Sequence, residues 1–324
     1  MGERTTVVIQ GAVSTDAVPG IEAVEADATF RCASDLDALR EALPGAEVLL
    51  GWNFAADDIA RAFDRADRLR WIQWAGAGVD AALFPALVQS EVTLTNVRGV
   101  FDQAMAEYTL GMILAFAKDF RGTDTLQRER KWKHRLTEPV AGTKALVVGA
   151  GSIGRAIART LRGAGIEVEG VGRTARAGDP DFGRVHGNEG LDRALGSADW
   201  VVLIAPLTEQ TRGLFDGTRF AAMKPTARFF NLGRGALVDE PAMIGALENG
   251  VIAGAGLDVF AEEPLSPASP LWTMENVLVS PHMSGDFHGH KKAMAKVFIE
   301  NFRRYRAGEP LMNVVDKGLG FVSG

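Results

Sequence analysis

The sequence predicts an α/β protein of two domains, each built around a doubly wound parallel sheet. Short apolar runs at residues 7–10 and 48–52 alternate with helical patterns such as residues 57–63, and this alternation is typical of parallel α/β units. A long helical stretch from residue 102 to about 130 separates this series from a second one that begins at residue 145. The length of 324 residues, of which 47% are apolar, suits about two domains.

The remaining predicted strands are equally short. They cover residues 71–75 and 92–96 in the first series, and residues 145–148, 168–171, 200–204, 228–231, 253–258 and 277–280 in the second. The tail at residues 288–306 has helical spacing with an apolar face, so it is predicted to return to the first domain. We therefore predict one domain from residues 1–97 plus 285–324 and another from residues 98–284.

Composition argues against several classes of protein. The net charge is −6 and the Lys and Arg residues are scattered, so no basic stripe marks a nucleic-acid partner. The longest apolar run, residues 110–117, is much shorter than a membrane span. Cys32 is the single cysteine and no Cys/His cluster has metal-ligand spacing, which predicts a cytoplasmic protein without a metal site.

A glycine-rich turn after the strand at 145–148 predicts a dinucleotide site. Gly149, Gly151 and Gly154 form Gly-x-Gly-x-x-Gly, followed by a helical pattern. In that context the glycines permit a tight turn, approach of a pyrophosphate to the backbone, and close packing of helix on strand. Ser152 and Ile153, within the motif, complete the predicted site, and the helix is predicted over residues 155–162.

The residues after the next strand bear on which dinucleotide is bound. An NAD-specific site carries an acid about 20 residues beyond the turn, whereas this sequence has Arg173 and Thr174, with Arg176 close by. A guanidinium and a hydroxyl suit the extra phosphate of NADP. We therefore predict that the site prefers NADP(H) and can also accept NAD(H). In the alternative, both arginines are solvated loop charges and Glu169 serves the ribose.

Three further segments follow predicted strands of the second series. They contain Arg234, Glu263 and His282, and strand ends are where open α/β sheets build their sites. Reduction of a 2-keto acid needs a fixed cation, a proton donor and an acid that keeps the donor charged. These three side chains meet those needs.

Several ordered blocks resemble the D-isomer-specific 2-hydroxyacid dehydrogenases, in particular short NADP-dependent glyoxylate and hydroxypyruvate reductases. Beyond the segments above, the blocks are Gly76-Ala77-Gly78-Val79-Asp80, Ala205-Pro206-Leu207-Thr208 with Thr211, Met223-Lys224-Pro225 and Leu257-Asp258-Val259. The resemblance implies a flavodoxin-like substrate domain and a Rossmann cofactor domain with a cleft between them.

The resemblance also implies the catalytic roles. Arg234 would bind the substrate carboxylate, His282 would donate the proton, and Glu263 would raise the pKa of the imidazole. Glu262 is a neighbouring acid, but the family pattern places the catalytic acid immediately before the proline, which favours Glu263.

Other site residues follow from the same likeness. Asp258 would orient the nicotinamide carboxamide, Pro206 and Thr211 would contribute to the cofactor site, and the amides of Ala77 and Gly78 would bind the substrate carboxylate. Trp52 and Trp74 end predicted strands, where they would wall the substrate pocket; the alternative is that they are core residues.

The predicted function is therefore reduction of a small 2-keto acid to a 2-hydroxy acid, with no nucleic-acid or membrane partner. The resemblance further implies a homodimer formed through the long helix that starts at Asp102 and the neighbouring surface of the cofactor domain. The competing hypothesis is a non-enzymatic dinucleotide sensor of the corepressor type, because some corepressors resemble this family and retain its Arg, Glu and His.

Overall fold

The computed structural model describes residues 3–54 and 56–322, which fold into two compact units. The first unit contains the described residues up to Val100 and those from Phe287 onward, and the second contains Phe101–Asp286. Each unit has its own largely parallel sheet, so the predicted fold class is confirmed. Across the described residues, no helix combines the length and the hydropathy that crossing a bilayer requires.

The first unit is built on a five-stranded parallel sheet. Its strands are β1 (Thr5–Gln10), β2 (Ala28–Ala33), β3 (Val48–Gly51), β4 (Trp71–Trp74) and β5 (Thr93–Thr95), and its first helices are α1 (Leu36–Ala42), α2 (Asp58–Ala62) and α3 (Pro85–Gln89). The spatial order β2-β1-β3-β4-β5 is that of flavodoxin-like sheets. Strand β2 was not predicted, because it is an edge strand with exposed Thr29 and Arg31.

The second unit is built on an eight-stranded sheet. Its strands are β6 (Lys144–Val148), β7 (Glu167–Val171), β8 (Arg176–Asp179), β9 (Gly183–His186), β10 (Trp200–Leu203), β11 (Arg228–Asn231), β12 (Gly254–Leu257) and β13 (Val277–Val279). The order is β13-β12-β11-β10-β6-β7-β9-β8, parallel except for the pairing of β8 with β9. Strand order reverses between β6 and β10, which is where sheets of this kind bind ligands.

Six helices complete this unit. They are α4 (Asp102–Ala117), α5 (Phe120–Arg128), α6 (Ser152–Gly163), α7 (Leu191–Leu195), α8 (Gly217–Ala222) and α9 (Glu240–Glu248). The prediction of one helix from residue 102 to about 130 is wrong. Asp119 separates α4 from α5 in a left-handed conformation (φ 47°), and its side chain caps α5 by accepting a hydrogen bond from the Gly122 amide.

The tail forms helix α10 (His290–Ala307) and packs on the first unit. Phe298 and Phe302 are almost completely buried in the core beside β1 and β3, and the Phe298 ring stacks on Trp71 at 5.7 Å between centroids. Burial of a Phe side chain contributes about 1.5–3 kcal/mol. The C-terminal helix is therefore an integral part of the first unit.

Candidate active site

The glycine-rich turn has the geometry that its sequence predicts. Gly149, the first residue after β6, has φ +123°, and a Cβ on it would lie 2.5 Å from the Ile204 carbonyl oxygen. A Cβ on Gly154 would lie 1.9 Å from the Gly149 carbonyl oxygen. Neither position admits a side chain, which keeps α6 close to the carboxyl ends of β6 and β10.

The start of α6 suits a dinucleotide. Gly151 is its N-cap and has no side chain to satisfy the first amides of the helix, and no atom lies within 4 Å of where its Cβ would stand. Amides at a helix N-terminus, aided by the helix dipole, favour anions. The adjacent Ser152 hydroxyl lies 3.3 Å from the Asp102 carboxylate, which links the starts of α6 and α4. The turn therefore fits a pyrophosphate.

The residues predicted to select NADP follow β7. Arg173 and Thr174 are exposed, and Arg176 opens the β8–β9 hairpin, with its Nε 2.7 Å from the Asp179 carboxylate. Glu169, the alternative ribose acid, lies within β7 and its Oε2 is 2.6 Å from Nε2 of His186. Because this carboxylate already contacts a neighbouring strand, the structure argues against the alternative in which Glu169 binds the ribose.

Arg234 lies on the loop that leaves β11. Asn231, buried at the strand end, donates from its side-chain amide to the Arg234 carbonyl (2.9 Å) and accepts from the Gly233 amide (3.2 Å). A Cβ on Gly235 would meet the Phe260 carbonyl oxygen at 1.8 Å. The missing side chain thus lets the Arg234 loop pack directly on the loop that leads to Glu263.

Glu263 and His282 form a hydrogen-bonded pair. Nδ1 of His282 lies 2.7 Å from Oε2 of Glu263, and the other oxygen of Glu263 accepts from the Phe260 amide at 3.0 Å. The His282 side chain is 40% exposed and the Glu263 side chain is 35% exposed, so the imidazole can reach a small molecule.

The pair shifts the pKa values of both partners. The hydrogen bond that His282 donates to the Glu263 carboxylate raises the pKa of His282, an effect that outweighs burial and the nearby Arg234 charge. Burial raises the pKa of Glu263, but hydrogen bonds from His282 and the Phe260 amide, with the charges of His282 and Arg234, hold it below its usual value. Glu263 is therefore ionised near neutral pH, and His282 keeps its proton to higher pH than a free imidazole.

The structure thus brings Arg234, Glu263 and His282 together within one unit. The guanidinium acts electrostatically on both other groups, and its Nη1 donates to the Gly233 carbonyl at 2.8 Å. A cation, a proton donor and its carboxylate partner are the set that a 2-keto acid needs.

Asp258, directly after β12, is 1% exposed and belongs to the same cluster. Its carboxylate accepts from the Ser280 hydroxyl (2.6 Å) and from the amides of Met283 (2.9 Å) and Ser284 (2.9 Å). Its carbonyl accepts from the His282 amide at 2.8 Å. Asp258 therefore organises the backbone around the His282 imidazole, and its predicted contact with a carboxamide stays a prediction.

Pro206 and Thr211 lie on the loop after β10. The Thr211 hydroxyl donates to the Pro206 carbonyl at 2.7 Å and accepts from the Thr208 amide at 2.8 Å. Thr211 therefore fixes the shape of the loop that presents Pro206, at the sheet position where the strand order reverses.

The predicted substrate residues of the first unit follow β3 and β4. Trp74 is 2% exposed in the core and its indole N–H donates to the Gly78 carbonyl at 2.9 Å, while Asn96 donates to the Ala77 carbonyl at 2.7 Å. Trp74 is therefore a core residue, as the alternative interpretation expected, and its indole supports the loop of residues 76–78. Trp52 is half-buried, and its role as a pocket wall stays a prediction.

Sequence reasoning assigned no role to Asn231 or to Ser280. Both are buried polar residues at strand ends, next to the segments that carry Arg234 and His282. Buried polar side chains require hydrogen-bond partners. In the sequence, the signal that could have identified Asn231 and Ser280 is a polar residue at the end of a largely apolar strand.

Comparison with known proteins agrees with this geometry. The family model for the NAD binding domain of D-isomer specific 2-hydroxyacid dehydrogenases matches residues 110–284. A glyoxylate reductase of Korarchaeum cryptofilum is 34% identical over 266 residues, which cover 80% of this chain and 79% of that protein.

Solved structures of related proteins superpose closely on the fold. A D-isomer specific 2-hydroxyacid dehydrogenase of Xanthobacter autotrophicus, solved with NADPH and MES, has a TM-score of 0.83 and 34% identity. An NADPH-dependent glyoxylate/hydroxypyruvate reductase of Sinorhizobium meliloti, solved with NADP and sulfate, has a TM-score of 0.85 and 29% identity. Each alignment covers 98% of this chain and 100% of the other. On its fold, its motifs and these similarities, the chain belongs to the D-isomer specific 2-hydroxyacid dehydrogenase family.

Proposed function

We propose that the protein uses NADPH to reduce a small 2-keto acid, of the glyoxylate or hydroxypyruvate kind, to the 2-hydroxy acid. The observation that carries the proposal is the 2.7 Å contact between His282 and Glu263 beside the charge of Arg234. The curated relative named above is a glyoxylate reductase and one solved relative reduces glyoxylate and hydroxypyruvate, which supports this substrate class.

His282 supplies the proton. The ionised Glu263 can only accept a hydrogen bond, so Nδ1 of the imidazole carries a proton toward it and Nε2 is left to act on the substrate. In the imidazolium form, Nε2 donates its proton to the keto oxygen. When bound, the nicotinamide supplies the hydride. In the oxidative direction the neutral Nε2 accepts the same proton.

Arg234 orients the substrate. A guanidinium binds a carboxylate with two parallel hydrogen bonds, and its positive charge stabilises the oxygen that becomes negative as the carbonyl is reduced. In this proposal the amides of Ala77 and Gly78 also bind the carboxylate, and Trp52 contacts the substrate.

The cofactor assignment rests on both ends of the dinucleotide site. We assign the pyrophosphate to the turn of Gly149, Gly151 and Gly154 with the start of α6, and the 2′-phosphate to Arg173, Thr174 and Arg176. Asp258, Pro206 and Thr211 lie toward the nicotinamide. Two solved relatives contain NADPH or NADP, and NADH remains a possible second cofactor because the family model describes an NAD binding domain. The relatives reported above carry enzyme names, so we do not propose the sensor function.

The direct test is a substrate panel. Glyoxylate, hydroxypyruvate, pyruvate and phenylpyruvate are each offered with NADPH and with NADH, and oxidation of the cofactor is followed at 340 nm. We expect turnover of at least one of the two smaller acids, glyoxylate and hydroxypyruvate, with a higher kcat/KM for NADPH. Inactivity on all four acids would refute the substrate assignment, and a preference for NADH would refute the cofactor assignment.

We further propose that two copies of the chain associate through the region after α4. Three large apolar side chains within a short stretch of sequence are strongly exposed: Phe120 (56%), Trp132 (102%) and Leu136 (92%). Exposed apolar side chains of this size are typical of interaction surfaces. A second copy is the occupant that the family resemblance implies. The single cysteine, Cys32, suits a cytoplasmic location, which we also propose.

Light scattering during size-exclusion chromatography tests the dimer. The wild-type protein should elute with twice the mass of one chain, and a Trp132→Ser, Leu136→Ser double variant should elute as a monomer or a concentration-dependent mixture. Val13, which is 89% exposed in the first unit, provides a control variant, Val13→Ser. A dimer that survives both substitutions contradicts the assigned surface.

A further inference from the structure

The backbone at His282 needs external support. His282 has φ +52°, in the left-handed region that side chains with a Cβ rarely adopt. This conformation aims the imidazole at Glu263, 2.7 Å away. A residue in an unfavourable conformation persists only where its surroundings hold it, so the contacts of residues 280–284, here called the histidine loop, decide where the proton donor lies.

Asp258 supplies most of that support. Its side chain accepts amide hydrogen bonds from Met283 and Ser284, both at 2.9 Å, and its backbone carbonyl accepts the His282 amide at 2.8 Å. One residue at the end of β12 therefore binds three consecutive amides of the histidine loop. Movement of its carboxylate moves the imidazole.

Ser280 fixes the carboxylate in turn. The Ser280 hydroxyl is buried with the residue, which is 6% exposed, and donates to Oδ1 of Asp258 at 2.6 Å. Its own amide donates to the Leu257 carbonyl at 2.9 Å, so the hydroxyl approaches from a fixed strand end. A hydrogen bond to a buried carboxylate is short and strong, and its loss leaves Oδ1 with a single amide donor.

We propose that Ser280 is a positioning residue of the reaction, whose hydroxyl locks the Asp258 carboxylate so that the histidine loop presents His282 to Glu263 and to the substrate. Ser280 acts through Asp258 and does not contact the substrate. The inference rests on the proposed function for its kinetic consequence, whereas the geometry of the His282–Glu263 pair can be measured without any substrate.

Two isosteric replacements isolate the hydroxyl. Ser280→Thr keeps it, and Ser280→Val places a methyl group where the Thr hydroxyl stood, so the two variants share shape and differ in one hydrogen bond. Ser280→Ala removes the hydroxyl without added bulk. Ser197→Ala is the matched control, because the Ser197 hydroxyl donates to the Ala194 carbonyl before the start of β10.

The kinetic readout is kcat/KM for the keto acid with saturating NADPH. We expect Ser280→Val and Ser280→Ala to lose roughly tenfold to a hundredfold, as small misplacements of a catalytic group do. Ser280→Thr and Ser197→Ala should stay within about threefold of wild type. The dissociation constant of NADPH, measured by protein fluorescence, should change little in Ser280→Thr and Ser197→Ala.

The second readout is an NMR titration of the His282 ring in the cofactor-free protein, assigned with His282→Gln. Loss of the Ser280–Asp258 hydrogen bond should weaken the contact between His282 and Glu263. The pKa of His282 should therefore fall toward that of a free imidazole in the Val and Ala variants and remain raised in the Thr variant. The proposal is overturned if the Val variant titrates and turns over like the Thr variant. An inactive wild-type protein with the predicted titrations would instead contradict the proposed function alone.

Discussion

Nδ1 of His282 lies 2.7 Å from Oε2 of Glu263, and this contact fixes which nitrogen of the imidazole is available for chemistry. It also sets the pH dependence. Because the pKa of His282 is raised, the imidazolium needed for reduction persists above the pH at which a free imidazole loses its proton.

The first prediction concerns pH. We expect kcat/KM for keto acid reduction to be highest below the raised pKa of His282 and to fall as pH rises through it. Glu263→Gln keeps a hydrogen-bonding side chain but removes the charge, so the fall should occur at lower pH, with a maximal rate reduced about 10²-fold or more. A pH profile from 5 to 9 measures both. An unchanged profile in the Gln variant contradicts the role of Glu263.

The second prediction distinguishes the role of His282 in the chemical step from the role of Arg234 in substrate binding. His282→Ala should lower kcat by about 10²–10⁴ while NADPH binding remains nearly intact. Arg234→Lys keeps a charge without the planar fork, so the KM of the keto acid should rise and kcat/KM should fall by roughly 10². Exposed Arg212, changed to Lys, is the control. Steady-state kinetics at fixed NADPH decide between these outcomes.

The third prediction concerns the cofactor. Arg173→Ala should reduce kcat/KM for NADPH by about 10-fold to 100-fold through loss of a charge-assisted contact, and leave kcat/KM for NADH nearly unchanged. Arg184→Ala, on the exposed surface of β9, serves as control. Equal losses with both cofactors would place Arg173 away from the 2′-phosphate.

The fourth prediction concerns acid stability. The Asp179 carboxylate accepts hydrogen bonds from Arg155 (2.9 and 3.1 Å) and Arg176 (2.7 Å), and from the amides of Asp181 and Phe182. Burial raises its pKa, but these bonds outweigh burial and hold the pKa well below the usual range.

Because the pKa of Asp179 is lower in the folded protein, its stabilisation is complete above the pKa of an unfolded aspartate, about 4, and is lost as pH falls below it. Asp179→Asn should cost about 2 kcal/mol at pH 7, given that both arginines are partly exposed, and the cost should shrink toward pH 3. Urea midpoints at both pH values measure this. Asp192→Asn, in an exposed ion pair, is the control.

The sequence predicted elements whose signal is local and apolar. Residues 228–231 were predicted as a strand with the bounds that β11 has, since the strand is bounded by turns and largely buried. Strands β8 and β9 were not predicted, because the segment is exposed and polar and is held by contacts between Asp179 and distant Arg155. The break at Asp119 was also missed, since one residue in a left-handed conformation changes no periodicity.

In the candidate site, too, the residues marked by a local sequence pattern could be predicted and those defined by tertiary contacts could not. Arg234, Glu263 and His282 could be singled out because each lies in a recognisable block after a strand. The support given by Asn231, Ser280 and Asp258 depends on which strands are neighbours and on where each carboxylate or amide points. Those facts arise only when β11, β12 and β13 pair in register.

Arg234, Glu263 and His282, the three side chains proposed to be catalytic, lie on loops of one sheet, between β11 and the end of the second unit. The proposed proton donor, its carboxylate partner and the arginine of the second unit therefore lie within about fifty consecutive residues. Substitutions elsewhere in the chain can then change which acids are accepted without altering these three side chains.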